Sequence, residues 1–147
     1  MAKGISATMR TLAYYKKMGL PVWKVEQWIN IPGHPAGGVR RDLFNCIDII
    51  ALGLHVEHRS DDAPRNTSTI CGIQSCAQSG FASHLAKMLA EPNAKKWLEC
   101  GGNLLLMAWE KRKEGTKVLH WRPRIQKLTL ADFKDVPEEI VTNDNSL

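Results

Sequence analysis

The sequence predicts an α/β domain, a mixed central β-sheet flanked by helices, in the order α-β-β-β-α-(α)-β-β. Three observations point there. Strand-length apolar runs bounded by turn residues recur at 46–52, 69–76 and 103–110. Helical spacing appears at 6–18 and 79–90, so helices precede and cross over between the strands. The chain has 147 residues, enough to close one core without disulfides or metal, and 44% hydrophobic with 24% charged residues suits a folded domain.

The first helix, 6–18, begins at Ser6, a good N-cap, and places Met9, Leu12, Ala13 and Lys16 on one face. Gly19 and Pro21 stop it. A strand is expected at 22–29, with Lys24 and Glu26 two apart on one face. Residues 30–38 hold two prolines and three glycines and read as a loop. The second strand, 46–52, is apolar except for Asp48. A long polar loop over 53–68 leads to a third strand, 69–76. A helix over 79–90 sets Phe81, Leu85, Met88 and Leu89 on one side, and Pro92 breaks it. A shorter helix over 94–99 and strands over 103–110 and 117–125 complete the domain. One domain, 1–133, with an acidic tail, 134–147, is the expected organisation.

The net charge of +5 is unevenly spread. From 131 to 147, Lys134 stands against Asp132, Asp135, Glu138, Glu139 and Asp144, a balance of −4, which leaves +9 on residues 1–130. A basic body is compatible with a polyanionic partner, and equally with a basic protein that binds none. No run of about eighteen apolar residues is present, so no membrane-spanning helix is expected. Residues 1–15 lack an apolar segment followed by a small-residue cleavage site, so a cytoplasmic chain with reduced thiols is expected. Of the four cysteines only Cys71 and Cys76 lie close in sequence. With His55 and His58 they would make a zinc set; buried free thiols are the other reading.

Two polar residues interrupt apolar strands. Burying Asp48 among Ile47, Ile49 and Ile50 is costly unless a metal ion or a cation pairs with it; a solvated edge carboxylate paired with Arg40 or Arg41 is the alternative. Gln74 shares a strand face with Gly72 and Cys76, and if the two strands are neighbours it points at the same spot as Asp48. A hydrogen-bonded strand-end amide is the alternative there. Glu26 and Asp42 are candidate further carboxylates for Mg²⁺, which takes oxygen ligands. The five tryptophans fit core or interface packing, or stacking on unpaired bases.

The run Arg40-Arg41-Asp42-Leu43-Phe44-Asn45-Cys46-Ile47-Asp48-Ile49-Ile50-Ala51-Leu52, followed by Ile73-Gln74-Ser75-Cys76, resembles the core of the PD-(D/E)XK nuclease-like proteins. It is similar to small phage-type members with a D-L-F-G-x-x-D segment and a Q-x-x strand end, to archaeal Holliday-junction resolvases and to VRR-NUC domains. The resemblance spans residues 6–110 and implies a restriction-endonuclease-like core. It also implies Mg²⁺ (or Mn²⁺) held by Asp48, Gln74 and the backbone carbonyl of Ser75. Glu26 stands in for the family's early glutamate, which the first helix lacks. Where the family has a lysine this chain has Cys76, and Lys87 or His84 of the following helix are the substitutes. The implied activity is hydrolysis of DNA phosphodiester bonds, structure-specific in some members. Arg40, Arg41, Lys24 and Lys87, with Lys16, Lys17, Lys95 and Lys96, would contact phosphates. A homodimer would supply the two active sites that resolvases need. The alternative is a catalytically degenerate nuclease-fold protein that binds DNA or a protein partner.

Overall fold

The structure, a computed structural model, describes residues 4–54, 70–113, 115 and 117–133. Helix α1 (Ala7–Lys17) opens on Ser6, whose Oγ accepts the Met9 amide at 3.2 Å, and ends with Lys16 and Lys17, cations that suit its carbonyl end. Its buried residues are Thr11, Leu12 and Tyr15, with Thr8 half-buried on the same stripe. The expected face of Met9, Leu12, Ala13 and Lys16 is therefore rotated: Met9, Ala13 and Lys16 are exposed. Two threonines go inside in their place because their hydroxyls find partners there.

The strand expected over 22–29 divides. β1 (Val22–Lys24) joins the main sheet, whereas β2 (Gln27–Asn30) pairs with β3 (Gly38–Arg41) in a separate two-stranded antiparallel ribbon. The break falls at Val25, whose amide bonds to the Asp48 carbonyl at 2.9 Å. Val22 packs into the core under α1 and Val25 into the opposite core, as residues three apart on an alternating strand do.

The main sheet continues with β4 (Ile49–Leu52), β5 (Ile70–Ala77), β6 (Asn103–Arg112) and β7 (His120–Leu128), in the order β1-β4-β5-β6-β7. Only β5 and β6 run parallel, and their crossover carries α2 (Phe81–Leu89) and α3 (Pro92–Glu99). The fold is thus α/β with a five-stranded mixed sheet flanked by helices. The described residues hold seven strands, against the five expected, because of the division at Val25 and the added β3.

The central strands β4, β5 and β6 alternate between two cores. On one face α1 covers Ile49, Ala51, Cys71, Ile73, Leu105, Met107 and Trp109. On the other, Phe81 and Met88 of α2, Ala94 of α3 and Phe133 of a 3₁₀ turn (Leu130–Phe133) pack on Ile47, Cys76, Leu104, Leu106 and Leu128. Cys71 and Cys76 belong to opposite cores, so they cannot share a zinc ion. His55, His58, most of the loop expected over 53–68 and the tail 134–147 lie outside the described residues.

The tryptophans split. Trp109 is buried, and half-buried Trp97 donates its indole N–H to the Asn103 carbonyl at 2.7 Å. Trp23, Trp28 and Trp121 are exposed, which core packing alone does not account for. Among the described residues no helix is long and apolar enough to cross a membrane.

Candidate functional site

Asp48 lies where the chain enters β4, and its backbone is held on both sides. Its amide donates to the Ile73 carbonyl of β5 at 3.0 Å, and its carbonyl accepts from Val25. The side chain is 3% exposed. One carboxylate oxygen, Oδ2, accepts three hydrogen bonds: the Ser75 amide at 3.1 Å, the Thr8 hydroxyl at 3.3 Å and the Gln74 side-chain amide at 3.4 Å. The other oxygen, Oδ1, is buried and meets no donor among the described residues, and the same holds for Gln74 Oε1 and Gln78 Oε1. Asp48 forms no ion pair among the described residues, so neither Arg40 nor Arg41 neutralises it.

Burial pushes the Asp48 carboxyl up from 3.8 to about 7. The Ser75 amide and the Thr8 hydroxyl pull the other way, and the charges of Asp42 and Glu26 add to the rise. Both acids are therefore close enough to be felt electrostatically. Asp42 is brought there by a tight turn in which the Leu43 and Ile47 amides each bond the other's carbonyl, at 2.8 and 3.0 Å. Phe44 and Asn45 in that turn have φ of 52° and 58°, a left-handed conformation that asparagine tolerates and phenylalanine rarely adopts.

Glu26 is engaged from its other side. Its carboxylate lies 3.3 Å from Lys24 Nζ and 3.9 Å from Arg40 Nε. Lys24, Arg40 and Glu26 thus form one charged group at the foot of the β2–β3 ribbon, and Arg41 is exposed beside Arg40. Lys87 is exposed on α2, and its charge acts on Cys46 and His84. Lys95 and Lys96 are both 3.9 Å from Glu99 within α3.

Cys76 is buried, and burial, then the charge of Asp48, pushes its thiol up to about 11, so it is neutral at neutral pH. His84 of α2 stands close by. A Cβ built on Gly80 would lie 3.9 Å from His84 Nε2 and 4.0 Å from Cys76 Cβ. Burial and the Lys87 charge lower the His84 pKa from 6.5, against the pull of Asp42, which favours the neutral imidazole.

Behind Asp48 runs a polar network that the sequence reading missed. The Ser75 hydroxyl donates to Thr11 Oγ1 at 2.8 Å, and the Trp109 indole donates to the same oxygen at 3.0 Å. Thr8 and Thr11 are spaced i, i+3 with Leu12 and Tyr15 at i+4 and i+7, so the stripe was present in the sequence; its hydroxyls made it look like the polar side.

The oxygen donors suit a hard divalent cation such as Mg²⁺ or Mn²⁺: a buried carboxylate oxygen and a neighbouring amide oxygen, both without donors. No three His, Cys, Asp or Glu side chains among the described residues are close enough to form a cation site. An ion here would rest on Asp48, Gln74, backbone and water. Compared with protein-family models, curated proteins and solved structures, the chain matches none.

Proposed function

We propose that the chain is a metal-dependent DNA endonuclease on a restriction-endonuclease-like core, hydrolysing phosphodiester bonds at Asp48. The observation that carries this reading is the pair of buried, donorless oxygens, Asp48 Oδ1 and Gln74 Oε1, on adjacent side chains. A buried carboxylate with no cation beside it is unfavourable, and a metal ion would give Oδ1 the partner it lacks; Gln74, whose side-chain N–H faces Oδ2, would join it through Oε1. Asp48, Gln74 and the Ser75 backbone would hold Mg²⁺ or Mn²⁺, which supplies an activated water and stabilises charge developing on the phosphate. The Ser75 amide and Thr8 fix Oδ2, so that Oδ1 is the oxygen left to bind. Glu26 and Asp42 add negative charge around that position. Neutral His84 is available as a proton acceptor at the end of β5, and Lys24, Arg40, Arg41 and Lys87 offer cations for the phosphate backbone.

Cys76 supports a second reading, a protein of the same fold that binds DNA without cutting it. A neutral thiol supplies none of the positive charge that the resembling family places at this position. Cleavage of labelled duplex, branched and single-stranded DNA in Mg²⁺ or Mn²⁺ separates the two. Metal-dependent cutting that falls about 100-fold or more in Asp48→Asn supports the nuclease. Binding without cutting by wild type supports the second reading, and cutting that survives Asp48→Asn removes Asp48 from the site.

A further inference from the structure

We infer that the β2–β3 ribbon is a nucleic-acid arm on which Trp28 stacks an unpaired base, directing the Asp48 site toward single-stranded or locally opened DNA. This rests on the proposed function and adds to it the class of substrate. Trp28 is 53% exposed in the middle of the ribbon and sits directly across from Arg40. Its indole N–H is already given to Asn30 Oδ1 at 2.8 Å, so what the ring has left to offer a partner is its π-face. Around it the charges lean positive: Lys24, Arg40 and Arg41 outnumber Glu26 and Asp42. Glu26 holds Lys24 and Arg40 on one side, and its charge is felt by Asp48 on the other. The ribbon is therefore joined electrostatically to the candidate metal site. A polyanion that also presents flat aromatic faces is a nucleic acid with exposed bases, since bases within an intact duplex keep their faces stacked on one another. Trp23, 76% exposed at the sheet edge, differs: it lies opposite Ile50 and faces no cation across the ladder.

The test is binding, read by fluorescence anisotropy with labelled 20-residue single strands and matching duplexes in EDTA at low salt. Chelation separates binding from cutting. Wild type is expected to prefer the single strand. Trp28→Ala should weaken single-strand binding roughly 10- to 100-fold and duplex binding by less than about threefold, with Trp28→Phe restoring most of the loss. Trp23→Ala should leave the preference unchanged, and Arg40→Gln should weaken both substrates alike. Thermal melting of each variant establishes that the half-exposed position tolerates the change. Equal weakening of both substrates by Trp28→Ala, or none, overturns the arm while leaving the nuclease reading to its own cleavage assay. Trp28-dependent single-strand binding without any metal-dependent cutting keeps the arm and overturns the nuclease. Wild type that binds neither DNA overturns the arm, and the cleavage assay alone decides the nuclease.

Discussion

At the scale of single residues, Asp48 concentrates the unfavourable electrostatics of the molecule. Three donors converge on Oδ2, yet burial outweighs them, and the carboxyl rises to about 7 from 3.8. The consequence for stability follows from which state binds the proton more tightly. Below pH 3.8 both folded and unfolded chains are protonated at this position. Between 3.8 and 7 the unfolded chain has released the proton while the folded chain keeps it, so stability falls as pH rises across that window. Above 7 the full penalty is present, on the order of 4 kcal/mol. In EDTA, Asp48→Asn should remove this slope: relative to the variant, wild type loses thermal stability as pH rises from 5 to 8. His84 is present in both proteins, so its contribution cancels from the difference. Melting curves at several pH values check it, and a constant gap between the two proteins would show that Asp48 titrates normally. If the site holds a cation, millimolar Mg²⁺ at pH 8 should recover part of the wild-type loss and none in the variant.

Among the elements, α1 does more than cover a sheet face. Thr11 Oγ1 accepts from both Ser75 and Trp109, joining the helix to β5 and β6 directly behind the Asp48 carboxylate. Thr11→Val keeps the shape and leaves two buried donors without an acceptor, at about 1–3 kcal/mol each. The expected loss is about 2–4 kcal/mol by thermal or denaturant unfolding, with a shifted Trp109 emission; Thr11→Ser should lose much less. A valine variant as stable as wild type would mean that the donors find other acceptors and that the network does not hold α1 in place. The division of 22–29 into β1 and β2 has a related origin. Val22 and Val25, three apart, pack into opposite cores as regular alternation requires, so the local pattern carries no sign of the division. The Val25 amide still bonds the Asp48 carbonyl as the next rung of the β1–β4 ladder, and the pairing of 27–30 with 38–41 beyond it is a long-range contact that the local pattern does not contain.

For the whole molecule, what was legible depended on burial. β5 and β6 are covered on both faces and read as near-continuous apolar runs, so their existence and the mixed, helix-flanked sheet followed from composition. β3 is short and carries Arg40 and Arg41 outward, so it resembled the loop before it. Asp48 and Gln74 stood out as polar interruptions in apolar strands, whereas Thr8, Thr11 and Ser75 did not, because small hydroxyls are ordinary on either side of an amphipathic element. The two cores share the central strands β4, β5 and β6, and the cysteines report on this. Cys71 lies under α1, Cys46 and Cys76 lie under the opposite helices, and Cys100 is exposed. Burial pushes the Cys46 and Cys71 thiols up to about 12 and that of Cys76 to about 11, so none is a competent nucleophile in the native state. Alkylation at pH 8 should therefore modify Cys100 first and alone. Because Cys71 and Cys76 project from the same strand into the two cores, loss of β5 pairing opens both cores together. Raising denaturant should expose all three buried thiols at one midpoint, read by mass mapping of the modified peptides. Reaction of Cys71 at lower denaturant than Cys46 and Cys76 would instead show that α1, the single helix on its face, lifts away as a separate unit.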